Sequence, residues 1–294
     1  MTRDEIIKRE EEERQKTIET EKKRKQHIKD ALMKTANDID KEIYSFYSKY
    51  STKNGISISE AKRRVANNDV QAFMKKAREL VQNKDFSEEA SAQLDLYNVT
   101  MKINRLEFLK SEIGLLLVDE YQDLQSYFQN SLDATARQEF KRQAGILGGT
   151  VIHLDEKVAE AVTKPFEGMT WNKRLWSHEA LLSADIGGIL TSGFITGKHP
   201  RELAKKLRER MEISVEDANV LMITEMSRVQ TEAQKATFQE FGYEKYEFIA
   251  ERDNRVCAKC HGMDGQIYLV EAMEPGVNAP PMHSRCRCST SAIY

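Results

Sequence analysis

Two short stretches near the C-terminus, Cys257-Ala258-Lys259-Cys260 and Pro280-Pro281-Met282-His283-Ser284-Arg285-Cys286-Arg287-Cys288, contain every cysteine of this 294-residue chain. Two close soft donors, a spacer of 22 residues from Cys260 to His283 and a second compact group of donors match the spacing that gathers four ligands around one tetrahedral ion. A small module poor in apolar surface draws its folding energy from such an ion. Five donors compete for the four places: Cys257, Cys260, His283, Cys286 and Cys288, with His261 an outside candidate. His283-x2-Cys286 has conventional ligand spacing, whereas Cys286-x-Cys288 supplies two ligands only if Arg287 takes an unusual turn. The spacing therefore favours Cys257, Cys260, His283 and Cys286, with Cys288 the challenger. A closed set of four protein ligands means structural zinc, because a catalytic zinc keeps a position for water. The competing reading is a redox-active or disulfide-linked pair, which a reducing cytoplasm disfavours.

Outward from this stretch, Tyr243 to Ala250 alternates, with Tyr246, Phe248 and Ala250 on one side and Lys245, Glu247 and Glu251 on the other, which predicts a strand. Gly265 permits a reversal into a second short strand over residues 266–270. Everything before reads as helix. Ser214 to Phe241 keeps Val220, Ile223, Met226, Val229, Ala233 and Ala236 at helical spacing, Arg201 to Arg210 forms an amphipathic helix with Leu203 and Leu207 inward, and a helix beginning near Asn172 makes an apolar face of Leu181, Leu182, Ile186, Ile189 and Leu190. Gly187-Gly188 reads as packing. The stretch from Leu94 to Phe128 places Ile103, Leu106, Leu109, Ile113, Leu116 and Leu117 three or four apart and predicts the central core helix. Asn54-Gly55 and a capping box at Ser57 to Glu60 mark a helix-turn-helix join, with a further helix over Gln71 to Gln82.

Residues 1–48 are strongly ionic, with opposite-sign blocks at Glu10 to Glu13 and Lys22 to Lys25 and a thin apolar stripe. This predicts a long solvated helix whose first half stands off the body or lies on a partner; a frayed arm is the plainer alternative. The fold class is accordingly mainly α: an extended N-terminal helical region and a helical body, followed by a small α+β Cys/His-rich module stapled by zinc. The expected domains are 1–48 as a charged helix or arm, 49–160 as a helical domain and 161–294 as a third region, with the Cys/His module at 243–294.

Charged residues at 31% against 8% aromatics suit a helix-rich globular chain, and 45 Lys plus Arg against 47 Asp plus Glu leave a net charge of -2 without a basic stripe. No apolar run is long enough for a membrane span or a secretory signal, so a cytoplasmic protein is expected. His153, His178 and His199 are scattered, no Ser-His-Asp or paired-carboxylate arrangement can be assigned, and His178-Glu179 lacks the second histidine of a zinc-protease helix. No enzyme is therefore expected, the more so as the chain runs only to Tyr294. Arg255, Arg285 and Arg287, with Arg252 and Lys259, flank the cysteines and are candidate nucleic-acid contacts of the kind found around zinc knuckles.

Asp253-x3-Cys257-x2-Cys260-x4-Gly265 followed by Pro280-Pro281-x-His283-x2-Cys286-Arg287-Cys288 resembles the signature of the phage head morphogenesis family, the Mu F-like minor capsid proteins. Thr224-Glu225 and Arg228 are similar to that family's Arg-Thr-Glu-like helical element, although Ile223 stands in place of its arginine. The segment Gly168 to Trp176, and more loosely the N-terminal helices, resemble minor head proteins of tailed phages and prophages of Gram-positive bacteria. The resemblance implies that residues 161–294 form a head morphogenesis domain, in a protein that acts in head assembly near the portal and in DNA packaging or ejection. Its implied partners are the portal, capsid or scaffolding proteins and, weakly, phage DNA, without membrane or small-molecule substrate. Its implied location is the host cytoplasm and then the capsid interior. The alternative function is a zinc-stapled nucleic-acid-binding protein that accompanies or protects phage DNA.

Overall fold

A computed structural model of the chain describes residues 2–50, 88–252 and 256–293, with side chains for all of these except 46–50, 88–105 and 108. The turn at Asn54-Gly55, the capping box, the helix over Gln71 to Gln82 and Arg255 lie outside the described residues. The chain is mainly helical. In order, it forms α1 (Arg3–Tyr50), α2 (Glu88–Ile146), α3 (Leu154–Thr163), α4 (Trp171–Thr196), α5 (Pro200–Glu240), β1 (Lys245–Ile249), α6 (Ala258–Met263), β2 (Ile267–Leu269) and β3 (Ser289–Ile293). The two helices expected over Arg201 to Arg210 and Ser214 to Phe241 are one, because Met211-Glu212-Ile213 between them contains no residue that breaks a helix.

Two compact units emerge, neither contiguous in sequence: Met1–Ala31, Tyr121–His178 and Ser214–Tyr294 form the first, and Leu32–Glu120 with Glu179–Ile213 the second. The second unit buries Leu32, Ile39 and Ile43 of α1, Leu109, Ile113 and Leu117 of α2, Leu182, Ile186 and Leu190 of α4, and Leu203, Leu207 and Met211 of α5. Helical spacing of three and four put each of these on one face. The close approach in this unit occurs at Gly193, where a Cβ would overlap the Leu203 side chain; Gly187 and Gly188 face open space. Arg208 of α5 reaches Asp40 at 2.6 Å and Asn37 at 2.7 Å.

The first unit buries Phe128 and Phe140 of α2, Trp171 and Leu175 of α4, and Val229 and Phe238 of α5. Phe128 and Trp171 stack at 6.0 Å between ring centroids. Its charged interior is more telling. Arg228 of α5 is only 1% exposed and Glu225 is fully buried. The Arg228 guanidinium donates to Glu225 Oε2 at 2.6 Å and to the carbonyls of Ala161 and Val162 at 2.8 and 3.0 Å. These carbonyls end α3 and would otherwise be orphaned.

The sheet has the order β2-β1-β3, with both pairings antiparallel and Tyr246 opposite Tyr268 on one side and Ala292 on the other. β1 and β2 fall where the alternation places them. β3 had no such signal, since Ser-Thr-Ser-Ala-Ile carries little hydrophobic contrast. Glu247, expected on an exposed face, is buried, because the first half of α1 does not stand off the unit: Arg3 donates to Glu247 Oε1 at 2.5 Å. Further along α1, Glu10, Arg14 and Glu21 are buried as well. Hydropathy counts such charged residues as solvated, although each is buried against a counter-charge.

Replacing Arg228 by alanine strands the Glu225 carboxylate and two carbonyls and should cost about 3–5 kcal/mol of unfolding free energy in urea titration. Arg228→Met combined with Glu225→Gln, which removes both charges at similar volume, should recover most of it. A single-variant loss below about 0.5 kcal/mol, the level of an ordinary surface change, would contradict this role.

Candidate metal centre

The first pair of donors is set by a short helix. Cys257 is the N-cap of α6, and its Sγ accepts the backbone N–H of Cys260 at 3.3 Å, while His261 N–H donates to the Cys257 carbonyl at 2.9 Å. Residues three apart on one helical turn share a side, so the two sulfurs converge. The second group sits on a tight turn, in which Cys286 N–H donates to the His283 carbonyl at 3.1 Å. The unusual conformation falls at Arg285, with φ of +60°, and not at Arg287. A side chain in this left-handed region costs about 1–2 kcal/mol. Thr224 of α5 holds the turn there, its hydroxyl oxygen accepting the Arg285 N–H at 3.1 Å, and the Arg285 guanidinium pairs with Glu216. Ser289, directly after Cys288, pairs with Ile249 of β1, so the sheet carries the last thiol.

The five expected donors fall into two overlapping groups of three. Ligand atoms of Cys257, Cys260 and His283 lie within 4.8 Å of one another, and so do those of Cys260, Cys286 and Cys288. Cys260 belongs to both groups, and its sulfur is 3.9 Å from that of Cys286. Cys260 and Cys286 are each 1% exposed, in a shell of Phe248, Ala250 and Met282, whereas Cys257 is half-buried and His283 exposed. Three thiols thus form a floor and two donors a rim. His283 Nδ1 lies 2.8 Å from the Ser284 carbonyl, to which it can donate, which leaves Nε2 as the ring nitrogen available to a metal. His261 is exposed and joins neither group.

The thiols perturb one another. The hydrogen bonds of Cys260 to Cys286 and Cys288, with burial, drive its pKa far up. Hydrogen bonds that Cys286 receives from Cys260 and Cys288 pull that thiol down. A cation placed among these sulfurs would favour their ionised forms. Cys257 is lowered chiefly by the Cys260 backbone N–H at its sulfur. The arrangement can hold a soft metal ion.

Residues 184–291 match the family model described as phage Mu protein F like protein. Over that stretch the chain is similar to phage Mu protein F. The match begins within α4, ends in β3 and contains all five donors. No curated protein and no solved structure shows a significant match.

The basic residues flanking the cysteines of this Mu F-like region are occupied where they are described. Arg252 pairs with Asp264 at 3.0 Å, Arg285 with Glu216, Arg287 with Glu21 at 2.6 Å, and Lys259 donates to the Gly276 carbonyl at 3.3 Å. Sequence reasoning missed Thr224 as the support of the donor turn and Glu21 as the partner of Arg287, both far from the cysteines along the chain. Among the described residues no helix is long and apolar enough to cross a membrane.

Alkylation of the chelated protein should follow exposure and acidity together. Cys257, half-buried and lowered, should react first with iodoacetamide at neutral pH, and Cys260, buried and raised, last, as read by peptide mass spectrometry. Equal labelling rates at the two positions would contradict the geometry.

Proposed function

We propose that this phage head protein is a minor capsid component that acts in head assembly near the portal, and in DNA packaging or ejection, without chemistry of its own. Its C-terminal module is stapled by one structural zinc held by four of the five converging donors. The observation that carries the reading is the coincidence of the Mu F-like match with the whole cysteine cluster. Zinc suits the donor set because thiolate and imidazole ligands in tetrahedral sites are its preference, and a site filled by protein donors leaves no open position for catalytic water. The protein is made in the host cytoplasm and ends inside the capsid, with portal, capsid or scaffolding proteins as its partners.

The nucleic-acid reading is the weaker one, because phosphate contacts need unspent cations. Arg285 and Arg287 already face Glu216 and Glu21, and Arg252 faces Asp264.

Co-expression with the portal protein of the same phage tests the two together. The chain should co-sediment with portal assemblies and should not retain duplex DNA at near-physiological salt. Salt-sensitive DNA retention that is lost on charge reversal at Arg285 and Arg287, without portal co-sedimentation, would replace this reading with the nucleic-acid one.

A further inference from the structure

Polar contacts tie the first half of α1 to the rest of its unit, and Arg3, Glu10, Arg14 and Glu21 each reach a group within a few residues of a cysteine donor. Arg3 bonds Glu247 at 2.5 Å and Asp264 at 3.2 Å, on either side of the α6 knuckle. Arg14 bonds Glu251 at 2.8 Å, six residues before Cys257, and its Nε donates to the backbone carbonyl of Arg287 at 3.1 Å. Glu21 accepts from the Arg287 guanidinium at 2.6 Å. Glu10 accepts from Arg142 of α2 at 3.0 Å through both oxygens and from the Ser289 hydroxyl at 2.8 Å. A cleft of about 50 Å³ is lined by Glu10, Arg14 and Glu21 of α1 together with Cys286, Arg287 and Cys288.

Apolar burial contributes little to this contact; among residues 3–21, Ile6 is the buried apolar side chain. The docking therefore depends on the position of its polar partners, and Arg287 is the one bonded both through its carbonyl and through its side chain. Arg287 lies between two thiols of the buried floor. An ion that draws Cys286 and Cys288 to one centre fixes the Arg287 backbone, and with it the acceptor for Arg14 and the donor for Glu21.

We propose that α1 is a metal-gated clasp: loading the cysteine cluster locks residues 3–21 against the module, and loss of the ion frees them as a charged helical arm. This rests on the zinc reading above. Linkage is reciprocal, so a docked α1 must also tighten the hold on the ion by the same factor.

Hydrogen exchange on the full chain, zinc-loaded and chelated, with zinc affinity measured by competition against a chromophoric chelator, tests it. Chelation should raise exchange in residues 3–21 by about tenfold or more while residues 124–144 of α2 stay protected. Arg14→Gln with Glu21→Gln should weaken zinc binding by about tenfold, within the usual range of coupling between sites. Unchanged exchange of residues 3–21 on chelation, or full zinc affinity in the double variant, overturns the clasp alone. A wild-type chain that takes up no zinc overturns the zinc reading and the clasp with it.

Discussion

Three buried thiols within 4.8 Å of one another cannot all be charged unless a cation joins them. Much of the C-terminal module is arranged around that constraint. α6 is barely more than one turn, β2 has three residues, and the turn at Arg285 is held in a conformation that a side chain avoids. None of these pieces would persist by its own propensity. β1 gives them a common spine by pairing with β2 and β3, and Phe248 on that strand packs against the sulfurs. The apolar neighbours lower the local dielectric, which makes an uncompensated charge costlier and a compensated site stronger.

Polar contacts, more than apolar area, extend this order into the helices. The Thr224 hydroxyl supports the donor turn, and the Glu225–Arg228 pair one turn further along α5 closes the end of α3. On the other side, Glu139 and Arg142 of α2 meet Glu10 of α1 and Gln234 of α5. Burial would raise the Glu139 carboxyl, but Arg142 and the amides of Gln143 and Gln234 more than reverse it and hold it below the usual carboxylate range. A network satisfied this fully defines one arrangement of the helices that share it.

The sequence is legible where physical causes are local. The period of α2, the alternation of β1, the reversal at Gly265 and the donor spacing all follow from neighbours along the chain, and the structure has the first three and draws the donors together. What escaped depends on partners far away in sequence. The first half of α1 reads as solvated because Glu10, Arg14 and Glu21 are charged, yet each finds its counter-charge more than a hundred residues on. β3 has almost no pattern of its own and exists because β1 offers it an edge. Arg285 and Arg287 read as free cations until Glu216 and Glu21 are placed beside them. The sharing of Cys260 between two donor groups is likewise a property of the folded chain, which spacing alone cannot rank.

The most direct test of this account is zinc analysis joined to X-ray absorption at the zinc edge, on protein purified without chelator. It predicts one zinc per chain with a first shell dominated by sulfur at about 2.3 Å. A folded, monodisperse protein that contains no metal, or one whose zinc is bound by oxygen and nitrogen alone, would contradict it.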